Sequence, residues 1–198
     1  MALSRAGEIA LALTIPCAVA LIVIPVQLVS VLFERGAFGA DDSAATALAV
    51  AIYGLGLPAF VLQKILQPVF FAREDTRSPF RYAVWAMVVI GWIAAAIATT
   101  IAAWIMVVQL AAGARQFGEV ARFDAQFQRR LWRICLASVL MGAVLWGAGV
   151  LLGPLFGMGG VRWLALLVLI AVGTLAYALF GQGLGAFRMQ EIRSRLRR

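Results

Sequence analysis

Of 198 residues, 64% are hydrophobic and only 13% are charged, whereas a soluble domain is about 45–50% apolar and about 25% charged. That balance excludes a water-soluble globular domain, and the lack of histidine and of a phosphate-cradling Gly-Lys-Ser loop leaves no enzyme to predict. The net charge of +8 is carried by arginines in short segments between apolar runs, so it points to membrane orientation rather than to nucleic acid.

A helical crossing needs roughly 20 mostly apolar residues. Suitable runs cover 9–33, 44–72, 82–114, 131–152 and 163–187. They predict an all-α fold: a polytopic transmembrane helical bundle of five to six membrane segments in a single transmembrane domain, 1–198.

The first run follows Met1 to Arg5 and contains Ala18-Val19-Ala20, an imitation of a signal peptide with its cleavage site. Because the apolar stretch continues to Phe33, an uncut span is expected. Pro16 directly before Cys17 argues against lipoprotein processing. Cys17 and Cys135 lie in separate runs without metal-ligand spacing, so no disulfide, metal or other cofactor is expected.

A charged joint, Phe33-Glu34-Arg35-Gly36-Ala37-Phe38, closes the first run. Glu34 and Arg35 are candidates for a gate whose opposite charges pair on closure. The alternative is a plain turn: Gly36 relieves the backbone, the phenylalanines anchor at the interface, and Asp41, Asp42 or Ser43 caps the next helix.

The second run carries Lys64 between Gln63 and Gln67. An ionisable group inside a span is costly and usually faces a cavity, a partner or a pathway. Lys64 and Gln67, three residues apart, share a helix face and could present a cation and an amide to a diphosphate or sugar. Alternatively Lys64, ~14 Å along a helix from Arg73, snorkels to the interface. Pro58 and Pro68 each remove a backbone hydrogen bond and are candidate hinges.

The second joint is Arg73-Glu74-Asp75-Thr76-Arg77-Ser78-Pro79, in which Arg73, Asp75 and Arg77 are further gate or loop candidates. Thr76 to Pro79 stops one helix and starts another, since proline disfavours helix in its predecessor but suits a first turn.

The third run holds 33 uncharged residues between Arg81 and Arg115. If both arginines are cytoplasmic, the segment crosses twice, yet two straight crossings would need roughly 40 residues. A short hairpin turning near Gly91 is the favoured expectation; one long tilted helix is the other. Residues 115–130 form an expected cytoplasmic amphipathic loop, with Val120, Phe123, Phe127 and Leu131 at helical spacing. Of the glycines in the last two runs, Gly181 and Gly185 have the spacing of a close-packing pair.

The remaining arginines group on one side: Arg5, the 73–81 and 115–133 clusters, and the five from Arg188 to Arg198. These predict cytoplasmic segments, including the C-terminus, with the joint at Glu34 and the turn at Arg162 on the opposite side.

Leu32 to Phe38, Tyr53-Gly54-Leu55-Gly56-Leu57-Pro58-Ala59-Phe60, Lys64-Ile65-Leu66-Gln67-Pro68 and Phe70 to Pro79, in this order and spacing, together resemble the MurJ/MviN lipid II flippases of bacteria. The resemblance runs through most of the chain. It implies the C-terminal portion, from about the ninth helix onward, of a fourteen-helix, two-lobed fold of the multidrug/oligosaccharidyl-lipid/polysaccharide exporter superfamily. It also implies transport of lipid-linked peptidoglycan precursor by alternating access in cell-wall biosynthesis, at the inner membrane, as a multi-pass protein. The implied partners are the lipid bilayer, the polyprenyl-linked precursor and an N-terminal flippase lobe or other cell-wall proteins. The stretch around Val88 to Trp92 departs from the family by lacking room for two full helices. The alternatives are a non-transporting membrane fragment or scaffold, and an exporter of another polyprenyl-linked glycan.

Overall fold

The computed structural model describes residues 2–90, 95–114, 125–156 and 161–185. In chain order they form α1 (Ala2–Val23), α2 (Pro25–Phe33), α3 (Ala40–Phe71), α4 (Arg77–Ile90), α5 (Ala95–Ala114), α6 (Ala125–Phe156) and α7 (Arg162–Gly183), with no strand among the described residues.

The expected first span is two helices. Pro25 opens α2 and cannot donate to the carbonyl four residues back, so the chain bends at Ile24, whose φ is −122° and ψ 38°. The Ile24 N–H still reaches the Ala20 carbonyl at 3.0 Å and the Leu28 N–H reaches the Ile24 carbonyl at 3.1 Å. The bend is thus bridged by backbone hydrogen bonds, as a hydrocarbon environment requires.

α3 begins at Ala40, before the apolar run proper. Gly39 caps it, and the Asp42 carboxylate accepts the Gly39 N–H at 3.1 Å. Asp41 and Asp42 also face the positive end of the helix dipole. At ~1.5 Å per residue this helix is longer than the ~30 Å hydrocarbon core, so it tilts or projects into the interface.

The 82–114 stretch contains most of α4 and all of α5, which pack against each other. Tyr82 and Ala114 both join the cluster around Phe70, so the stretch begins and finishes at the same end of the bundle. This is the geometry of two antiparallel helices; the turn expected near Gly91 lies outside the described residues. α4 has 14 residues, about 21 Å, which falls short of a full crossing. Among the described residues five helices, α1, α3, α5, α6 and α7, are long and apolar enough to cross a membrane.

Two apolar clusters organise the packing. Ala59, Leu66 and Phe70 of α3 meet Ala103, Val107 and Leu110 of α5. Ile24, at the α1–α2 bend, meets Met141 and Leu145 of α6 and Leu169 and Ala176 of α7. α1 packs on both α3 and α6 and stands between the two groups. Leu151, Met87 and Leu179 are 82%, 74% and 69% exposed, an outward apolar surface suited to lipid rather than water.

Candidate functional site at the charged joints and braced helices

The joint between α2 and α3 meets the start of α7. Arg162 donates to the Glu34 carbonyl at 3.5 Å, and the guanidinium carbon of Arg35 lies 5.0 Å from the Trp163 ring centroid. Neighbouring residues on one strand of chain therefore grip neighbouring residues on the other. A cation over an indole is worth about 0.5–1 kcal/mol at an exposed site. The Glu34 carboxylate accepts the Ser43 hydroxyl at 3.4 Å, while Phe33 and Phe38 meet with ring centroids 6.5 Å apart. Glu34 and Arg35 thus have separate partners, on α3 and α7, and the turn at Gly36 has a φ of 60°, open to glycine at little cost.

The joint between α3 and α4 is built from backbone hydrogen bonds. The Asp75 N–H donates to the Phe70 carbonyl at 3.1 Å and the Glu74 N–H to the Phe71 carbonyl at 3.0 Å, the paired bonds of a Schellman motif. Glu74 occupies its left-handed position, with φ 57°. Asp75 accepts the Ser78 N–H at 3.0 Å, which starts α4. The Ser78 side chain, then its backbone N–H, and Arg77 nearby hold the Asp75 carboxyl below its usual range. Arg73 and Arg77 are both exposed.

Lys64 is exposed, and Gln63 and Gln67 are half-buried. Leu66 is fully packed against α5, so Lys64, two residues back, is on roughly the opposite side of α3. It has no ion-pair partner among the described residues. Pro68 cannot donate to the Lys64 carbonyl, which adds an acceptor beside the cation.

Pro58 sits where α3 is pressed from two sides. A Cβ on Gly54 would lie 3.1 Å from Leu21 Cβ and 3.3 Å from the Ala18 carbonyl oxygen, whereas one on Gly56 would lie 2.9 Å from Thr100 Oγ1. The two glycines admit α1 and α5 respectively. From α5, Thr100 donates to the Ile52 carbonyl at 2.9 Å and Trp104 to the Leu55 carbonyl at 3.1 Å. These side chains brace the backbone just before the proline, where a kink loosens carbonyls.

A second brace joins α7 to α1. Pro16 leaves the Ala12 carbonyl without its helical donor, and the Tyr177 hydroxyl donates to that oxygen at 2.6 Å. Near the same end of α1, Glu8 pairs with Arg130 of α6 at 2.8 Å. Sequence reasoning missed both contacts, along with Arg162 and Trp163 as partners of the first joint. Proline-minus-four bookkeeping would have found the Ala12 acceptor but not its donor.

The glycine pair expected on α7 is divided: Gly181 is buried in the helix, whereas Gly185 lies beyond its end with φ 66°. Close approach falls instead at Gly142, where a Cβ would lie 2.7 Å from Val19 Cγ1, and Gly173, where it would lie 2.8 Å from Leu145 Cδ2. The expected amphipathic loop at 115–130 is described only from residue 125, where it already forms the start of α6; residues 115–124 lie outside the described residues.

Chemically the arrangement is a set of polar ties between helices. Its polar groups are guanidinium, carboxylate and hydroxyl contacts between helices, and no cluster of metal-ligating residues occurs among the described residues.

A family model for lipid II flippase MurJ matches residues 1–169. Curated relatives described as probable lipid II flippases are 36% identical to the chain over 97% of its length in Rhizobium tropici and over 98% in Rhizobium meliloti (strain 1021). The chain spans 39% of the length of each relative. A solved lipid II flippase MurJ in an inward closed conformation matches with a TM-score of 0.71 at 25% identity, over 90% of this chain and 37% of that one. These matches and the apolar helices make it a multi-pass protein of the bacterial inner membrane. The chain belongs to the lipid II flippase MurJ family.

Proposed function

We propose that this chain acts as the C-terminal part of a flippase that carries a lipid-linked peptidoglycan precursor across the inner membrane by alternating access. The observation that carries this reading is the likeness of most of the chain to the corresponding part of a solved lipid II flippase. Its role is transport rather than catalysis. α3, with prolines at 58 and 68, is the bending element, and the contacts from Thr100 and Trp104 hold it in the present state. Lys64, with Gln63 and Gln67, faces the precursor's diphosphate or sugar in this reading, supported by a cation inside a span that has no ion-pair partner among the described residues. The arginine distribution supports a cytoplasmic C-terminus and puts the joint at Glu34 on the periplasmic side.

The test is growth of a strain depleted of its lipid II flippase, supplied with this chain alone and with a matching N-terminal portion. Rescue by the combination is expected. Failure of both would overturn the transport reading and favour a scaffold. Within a rescuing pair, Lys64→Gln is expected to lower rescue at least tenfold if the cation meets the substrate, a loss of the size of one charge-assisted contact.

A further inference from the structure

The first turns of α6 carry three arginines with different fates. Arg130 points to α1 and is neutralised by Glu8 at 2.8 Å. Arg129 and Arg133, four residues apart, are exposed and have no carboxylate partner among the described residues. With Gln128 and Trp132, also four apart, they tile one side of the helix and line an open hollow of about 570 Å³. Gly185 borders it: a Cβ there would lie 3.5 Å from Arg133 Nη1. The end of α7 therefore leaves the guanidinium open.

The same side of α6 changes character along its length. Below Trp132, which is 72% exposed, come Leu136, Val139 and Leu140, all exposed at three- and four-residue intervals. A cationic, hydrogen-bonding hollow is thus continuous with an outward apolar track. That sequence of surfaces matches a molecule with an anionic head and hydrocarbon tails. A free phosphate would use the hollow and leave the track uncovered.

We propose that Gln128, Arg129, Trp132 and Arg133 form a headgroup site for an acidic glycerophospholipid of the surrounding leaflet. The two guanidinium groups take the phosphodiester oxygens. The Gln128 amide and the Trp132 indole N–H reach the glycerol and ester oxygens, and the acyl chains lie along Leu136, Val139 and Leu140. A net-negative headgroup is preferred because Arg130 alone of the three arginines is already compensated. The site is separate from the transport reading, since it needs neither the precursor nor an N-terminal lobe.

The probe is spin-labelled phosphatidylglycerol against spin-labelled phosphatidylcholine, with the full chain reconstituted in phosphatidylcholine bilayers. The motionally restricted fraction should favour phosphatidylglycerol. In R129Q/R133Q that preference should fall by about fivefold or more, on the scale of a basic residue's attraction to an anionic leaflet. R77Q/R81Q removes equal charge elsewhere and should keep most of the preference. Quenching of tryptophan fluorescence by brominated phosphatidylglycerol supplies a second measurement on protein whose folding is verified by its melting curve, and it should be weaker in W132F. The site is refuted if R129Q/R133Q retains the preference, if R77Q/R81Q loses as much, or if inorganic phosphate displaces the labelled lipid.

Discussion

Glu74 is held in a left-handed conformation, φ 57°, at the position of the Schellman turn that glycine usually fills. A side chain there costs about 1–2 kcal/mol against an unstrained residue, partly offset in a glycine variant by the greater freedom of its unfolded chain. Glu74→Gly should therefore raise stability by about 1 kcal/mol, read as a higher melting temperature in detergent or lipid. Asp75 next to it behaves differently. Its folded pKa is depressed, so its contribution is complete above the ordinary aspartate value, about 3.9, and is lost as pH falls through the lower folded value. The melting temperature of Asp75→Ala should thus lie below that of the parent at pH 7 and converge on it in acid. Both residues are plain in the sequence as a polar break between apolar runs. The left-handed geometry is hidden, because a glutamate gives no signal for it and the hydrogen bonds that impose it come from the helix before.

At the scale of elements, prolines set the pattern and neighbouring helices answer them. Pro16 orphans the Ala12 carbonyl inside α1, and Tyr177 supplies the donor. Tyr177→Phe should cost about 1 kcal/mol, the scale of a hydrogen bond between membrane helices. Pro16→Ala restores a backbone N–H to the same carbonyl, so in that background Tyr177→Phe should cost less than half as much. A thermal double-mutant cycle measures the difference, and equal costs in both backgrounds would refute the pairing. The spans themselves are legible from composition, since apolar runs of this length have few other uses. Their interruptions are legible only in part. Pro58 and Pro68 announce possible bends, whereas Thr100, Trp104 and Tyr177 look like ordinary span residues until the fold brings them to carbonyls 48, 49 and 165 positions away.

At the scale of the molecule, α1 joins the α3–α4–α5 group to the α6–α7 group. Glu8 and Arg130 tie one side of that junction; their side chains retain 15% and 42% of their exposure, which sets the pair between a surface and a buried bridge. Glu8→Gln should lower stability by about 1 kcal/mol, and the exchanged pair E8R/R130E should regain at least half of it in the same melting assay. This acid escapes a search for charges within the spans because it stands one residue ahead of the apolar run that begins at Ile9. α1 nevertheless contains it, for the helix starts at Ala2. The candidate substrate residues show the opposite limit: Lys64 is conspicuous in the sequence, while the partners of Glu34 and Arg35 on α7 are visible only once the bundle is assembled.

The tie between Glu8 and Arg130 also orders events at the ribosome. Glu8 leaves the exit tunnel 122 residues before its counterion, so α1 reaches the bilayer before Arg130 has been made. An unpaired carboxylate is costly at depth, which holds this end of α1 near the headgroups until α6 has been threaded. Within this stretch α1 is thus seated only after α6 has arrived, and its final position records that arrival.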